Sequence, residues 1–142
     1  MAATLGSWVF LDSVYLIALA QANDEYHDMA LELSGQVEAQ RARAVTTRAV
    51  LLEVGNALAK IKSRAAAIHL ISLLGNSPQV EIVPLTEDLA AQGWELFCQR
   101  PDKDWSWTDC ISFVLMRERG LKQALTSDGH FEQAGFIALL RH

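Results

Sequence analysis

The sequence predicts an α/β chain built on a parallel sheet with helical crossovers, and three observations carry that expectation. Short β-branched or aromatic runs alternate with longer stretches of helical periodicity. No repeat period or low-complexity tract interrupts the series. Gly75, Pro78, Pro84, Pro101 and Gly120 fall between the periodic stretches, where helices stop and strands end.

Taken in order, the first strand is Trp8 to Leu11, an apolar run that ends at Asp12 and a short helix. A helix from Asp24 to about Gln40 follows, with apolar Met29, Leu31, Leu33 and Val37. It carries Asp24, Glu25, Asp28, Glu32 and Glu38 and no Lys or Arg, which marks it as a surface for a partner or a second subunit. The second strand is Ala44 to Thr46, and the helix after it runs from Thr47 to Ile61. At 100° per residue, Val50, Leu51, Val54, Ala57, Leu58 and Ile61 share its apolar face, with Glu53 at the margin beside Asn56 and Lys60. A helix from Ser63 to Leu74 leads to the third strand, Val80 to Val83, and a further helix spans Thr86 to Gln99. Beyond Pro101 the helix Trp107 to Arg119 opens on the capping-box spacing of Ser106 and Asp109. The fourth strand, Gln123 to Thr126, meets a turn at Gly129-His130-Phe131, and Ile137 to Leu140 is the last strand. The pattern yields a mainly parallel sheet of about five strands and leaves their order open.

At 142 residues, with 51% apolar against 20% charged residues, the chain has the size and composition of one domain, residues 1–142, with a packed core. The formal charge of −5 argues against a surface that coats nucleic acid generally. Cys98 and Cys110 lack metal-ligand spacing and sit in apolar helical stretches, so both are expected as small buried residues in a reducing compartment. Ala65 to Val80, the longest stretch without a charged side chain, is 16 residues and contains His69, Asn76 and Pro78, too short to cross a membrane. The N-terminus lacks a basic signal-peptide region and Asp12 interrupts its apolar run, so the expected location is the cytoplasm.

In open α/β sheets the active crevice lies outside the carboxyl ends of the strands. Asp12 follows the first strand directly, and Asp128 follows the fourth after Thr126 and Ser127. Glu53 lies about two turns into the helix after the second strand, and Asp109 in the first turn of the Trp107 helix. Each of Asp12, Asp109 and Asp128 has a structural use as a helix cap. Four acids on one rim nonetheless repel one another by several kcal/mol at a dielectric near 20, so the set calls for protons or cations. With no Cys or His partner in view, oxygen ligands favour Mg²⁺ or Mn²⁺ over Zn²⁺, and Mg²⁺ completes its shell with water and phosphate oxygens. That points to phosphodiester chemistry. His130 is near Asp128 and is read as a turn residue or a substrate contact.

At these residues the chain resembles the PIN-domain family, most closely the VapC-type toxins of bacterial toxin–antitoxin modules. The matching stretches are Val9 to Ser13, Thr46 to Val54, Asp102 to Phe113 and Ala124 to Phe136, in the family's order and across nearly the whole chain. The resemblance implies a three-layer α/β/α PIN-like fold and a metal-dependent endoribonuclease, normally dimeric and inhibited by a small antitoxin. Its catalytic and metal-binding acids fall on Asp12, Glu53, Asp109 and Asp128, with Asp104 as an outer acid. Mg²⁺ is the implied cofactor, with Mn²⁺ as substitute. Ser13 stands where many relatives have Thr, and Gly129 where a larger polar residue is common. Ser13, Arg48, Thr126 and His130 are candidate substrate contacts; the hydroxyls of Ser13 and Thr126 reach either the carboxylates or a phosphate. Of Trp105 and Trp107, at least one belongs in the core, and either can stack on an RNA base.

From Arg41 to Arg64 six basic residues (Arg41, Arg43, Arg48, Lys60, Lys62 and Arg64) face the single acid Glu53, which predicts a local basic patch beside the site. Alternatives are a PIN nuclease that processes RNA without an antitoxin, a catalytically idle PIN-like module, and a phosphoacceptor receiver domain. The last expects an Asp after the central strand, where this chain has Pro84-Leu85-Thr86.

Overall fold

The computed structural model describes residues 4–141, and their strands form one all-parallel sheet. β1 (Trp8–Leu11), β2 (Arg43–Thr47), β3 (Val80–Val83), β4 (Gln123–Leu125) and β5 (Ile137–Ala138) lie in the order β3-β2-β1-β4-β5. Phe10 of the central strand pairs Val45 on one side and Ala124 on the other. A strand at that position is covered on both faces, and Val9, Phe10 and Leu11 are accordingly all apolar and all buried.

The chain steps outward from β1 to β3 through α1 (Ser13–Ala20), α2 (His27–Ala39), α3 (Arg48–Ala57) and α4 (Ile61–Asn76). It returns through α5 (Glu87–Gln99) and α6 (Trp107–Arg119) to β4, then reaches β5 by the short α7 (Gly129–Gln133). Right-handed crossovers place helices of opposite stepping direction on opposite faces. Hence α1 to α4 pack together on one face and α5 to α7 on the other, giving the three-layer α/β/α arrangement. The stepping direction reverses between β1 and β4, and the crevice of such a sheet opens at that reversal.

Local chemistry sets the helix ends. Thr47 and Thr86 hydroxyls accept from the amides of Val50 and Leu89, at 3.1 Å each, to start α3 and α5. Ser106 and Asp109 close the expected capping box at α6, which ends on Gly120 in the left-handed region at φ 66°. α5 lies so close to α6 that a Cβ on Gly93 would stand 2.5 Å from Ile111 Cγ1.

Several expectations are corrected. The helix after β2 ends at Ala57, before Lys60 and Ile61; Gly55 and Asn56 weaken its last turn, and Ile61 opens α4 with 92% of its surface exposed. Ala57 is exposed too, so of the expected face Val50, Leu51 and Val54 are buried, with Leu58 just beyond, and Ala49 is buried besides. Among the expected boundaries, α2 starts at His27, β4 stops at Leu125 and β5 at Ala138. Cys110 is buried but Cys98 is exposed. Arg41 and Arg43 lie at the amino ends of the strands, where Arg43 stacks 4.8 Å over Trp8, so the predicted basic patch is divided between opposite rims of the sheet. Among the described residues, no helix is long and apolar enough to cross a membrane.

Candidate metal centre

The residue after β1 and the residues after β4 meet at the reversal point. Asp12 is 3% exposed, and Thr126, fully buried, donates its hydroxyl to Asp12 Oδ2 at 2.7 Å. The same Thr126 oxygen accepts the Asp128 amide at 3.0 Å, so one side chain ties the two strand ends together. Asp12 stands at the N-cap position of α1 without making a side-chain cap bond, which leaves its carboxylate for other uses. Burial, with the neighbouring charges of Asp109 and Asp128, pushes its pKa up to about 7 against the lowering pull of Thr126.

Asp109 and Asp128 keep their structural roles as well. Asp109 Oδ2 accepts the Ser106 amide at 3.1 Å, and Asp128 Oδ1 accepts the His130 amide at 2.9 Å. Burial, seconded by the charge of Asp128, raises the Asp109 pKa, while the Ser106 amide and His130 hold it down. Glu53 reaches the same group from α3: burial raises its pKa most, the charges of Asp109 and Asp128 add to that, and the hydroxyls of Ser13 and Thr108 oppose it. α3 and α6 belong to opposite layers yet touch over the rim, and this contact carries Glu53 to Asp109.

His130 overturns the expectation that no histidine partners the acids. Its Nδ1 lies 3.1 Å from Asp109 Oδ2 and 3.4 Å from Asp128 Oδ1. Asp109, Asp128 and His130 each offer a ligand atom within 4.8 Å of the others. The reason is tertiary: α7 turns back over the start of α6, a proximity that no spacing in the sequence expresses. The donor set of carboxylates and one imidazole, with a buried carboxyl held near neutrality, suits a divalent cation.

The other candidates are placed unequally. Asp104 is exposed in the loop before α6, and Arg48 is exposed at the start of α3. Trp105 is core at 3% exposure, while Trp107 is 45% exposed. Sequence reading missed Arg141: its guanidinium donates to the Ser127 carbonyl at 3.2 Å, pairs with Glu132, and lies 3.2 Å from where a Cβ on Gly129 would stand. Its position beyond the last strand carried no motif; the chain after β5 runs beside the chain after β4, with the Leu140 amide on the Thr126 carbonyl at 3.0 Å, and that pairing brings it to the rim. His142 lies outside the described residues.

An all-parallel, reversed-order sheet with acids at the ends of β1 and β4 defines a class, and the PIN domain's sequence profile matches residues 9–137. The chain belongs to the PIN-domain family. It is 30% identical over 129 residues to the 23S rRNA-specific endonuclease VapC20 of Mycobacterium tuberculosis, across 91% of this chain and 95% of that protein. A crystal structure of Mycobacterium tuberculosis VapC20, described as a sarcin–ricin loop cleaving toxin, matches with a TM-score of 0.79 at 28% identity over 91% of this chain and 96% of that one. VapBC2 from Rickettsia felis, bound to a DNA fragment from its promoter, matches at 0.65 with 13% identity over 92% of this chain and 96% of that one. FitAcB from Neisseria gonorrhoeae matches at 0.61 with 17% identity over 92% and 94%. At those two identities the likeness concerns the fold alone.

Proposed function

We propose that this chain, read as one domain, is a metal-dependent endoribonuclease and the toxin of a type II toxin–antitoxin pair. The observation that carries the reading is Asp12: a carboxyl buried to 3% exposure beside Asp109 and Asp128 is an unstable arrangement unless a cation or proton occupies it. Asp12, Asp109, Glu53 and Asp128 are the residues that would hold Mg²⁺, with Mn²⁺ as substitute and His130 beside them. When bound, such an ion supplies a water of lowered pKa and positive charge for the scissile phosphate.

The chain's own groups do the rest. Thr126 fixes the Asp12 carboxylate through its hydroxyl, so we read it as a positioning residue. The Ser106 amide orients Asp109, and the Ser13 hydroxyl faces Glu53. His130 lies within proton-transfer reach of Asp109 Oδ2. Arg48, exposed at the start of α3, and Arg141, bonded to the Ser127 carbonyl, offer cations for contact with RNA phosphates, and Asp104 stays outside the acid group.

The likeness to VapC20 nominates 23S rRNA, and its sarcin–ricin loop first, as the RNA to test. The description of VapC20 as a toxin supports a small antitoxin as partner; a homodimer in the cytoplasm completes the reading as our proposal. The test is cleavage of 23S rRNA and tRNA by wild type and Asp12→Ala, with Mg²⁺, with Mn²⁺ and with EDTA. Metal-dependent cleavage by wild type alone is expected. Equal cleavage by both proteins in EDTA overturns the metal-nuclease reading, and no metal-dependent cleavage by either favours an idle module.

A further inference from the structure

Beside the acids, a slot of about 240 Å³ opens between α3 and the start of α6. Leu52, Leu85 and Trp107 form its apolar walls, and Glu53, Asn56 and Thr108 are polar groups on its lining. Glu53 and Thr108 thus belong both to the slot and to the rim, so the two spaces are continuous. Trp107 is held rather than loose: its Nε1 donates to the Ala90 carbonyl at 2.9 Å, and Trp94 meets it edge-on at 5.1 Å between ring centres. The indole is nonetheless 45% exposed, and Leu52 opposite is 53% exposed.

Resting on the reading of this chain as a ribonuclease, we propose that the slot receives one unstacked nucleobase of the RNA, stacked on Trp107, next to the phosphate held at the acids. Charge decides between base and phosphate. No Lys or Arg lines the slot and its walls are largely apolar, so nothing there offsets the charge of a phosphate, whereas a neutral base needs no such partner. The cation stands one step away: Arg48 lines the adjoining depression, which shares Leu52 and Asn56 with the slot and suits the next phosphate along the chain. An apolar wall with polar groups beside it is how proteins take splayed bases from single-stranded loops. Asn56 and Thr108 are the groups that meet the base edge, and Trp107 is a substrate-binding residue that sets which loop nucleotide enters.

The test compares a short mixed-sequence single-stranded RNA with an abasic oligomer of equal length, by fluorescence anisotropy, in an Asp12→Asn background that prevents cleavage. The base-bearing RNA is expected to bind about tenfold more tightly, the effect of one stacked base. Trp107→Ala erases that preference, Trp107→Phe retains it, and Leu52→Ala, altering only an exposed side chain, reduces it. In the cleaving protein Trp107→Ala raises KM by about tenfold and leaves kcat within about threefold. A base preference unchanged in Trp107→Ala and Leu52→Ala overturns the proposal. So does a Trp107→Ala protein that sediments as a smaller species than wild type, which assigns the slot to a second copy of the chain. Loss of metal-dependent cleavage in wild type with the base preference intact instead overturns the nuclease reading and leaves the slot standing.

Discussion

The burial of Asp12 makes the free protein's stability depend on pH. Its carboxyl ionises near 4 in the unfolded chain and at about 7 in the folded one. Below pH 4 both states hold the proton and the group contributes nothing. Between pH 4 and 7 the folded state binds more protons, so stability falls as pH rises, by on the order of 4 kcal/mol in total. Metal-free wild type is therefore expected to melt at lower temperature at pH 8 than at pH 5. Asp12→Asn should flatten that dependence and melt higher at pH 8; a wild-type melting curve indifferent to pH, matching the variant, would contradict this. Mn²⁺ favours the ionised carboxylates, so with Mn²⁺ present EDTA should lower the wild-type melting temperature at pH 8, and lower it less in Asp12→Asn. Asp12, Asp109 and Asp128 were legible in the sequence because each follows a strand or completes a cap, while their meeting was only inferred. His130 was legible as a neighbour of Asp128 but not of Asp109, and Arg141 was not legible at all, because both contacts are tertiary and neither residue holds a position that a helix or strand period marks.

Among the elements, α6 carries the most. Its first turn positions Asp109, Thr108 and Trp107, and its packing on α5 depends on Gly93. Gly93→Ala forces a methyl against Ile111, and a loss of about 1–3 kcal/mol is expected, read as a lower urea midpoint. Ser106→Ala removes one half of the capping box and should cost about 1 kcal/mol, with cleavage reduced further because the Asp109 amide loses its partner. If Ser106→Ala cleaves like wild type, the cap does not orient the acid. The strands were readable because a central parallel strand must be apolar on both sides, as Val9-Phe10-Leu11 is. The helix after β2 was overextended because Leu58 and Ile61 continue its period, whereas Gly55 and Asn56 end it early and Leu58 turns inward beyond its last turn.

For the whole molecule, strand order was the part the sequence withheld, since parallel pairing joins segments far apart and leaves no local trace. That order also divides the charge, putting Arg43 and Arg48 at opposite ends of β2. If Arg48 and Arg141 are the cations that meet RNA, it should be gripped through about two phosphates. The KM for cleavage is then expected to rise less than about tenfold between 50 and 200 mM KCl; a steeper rise points to a wider basic contact. The bond from Thr126 to Asp12 spans 114 positions of sequence. Contacts of such separation form late in folding, after the entropy of closing a long loop has been met. During synthesis β1 emerges well before its neighbour β4. A nascent chain that has not yet extended past β4 therefore carries Asp12 and Glu53 without Asp128, His130 or the Thr126 hydroxyl, so a ribonuclease centre stays unassembled while the first half of its acids is already outside the ribosome.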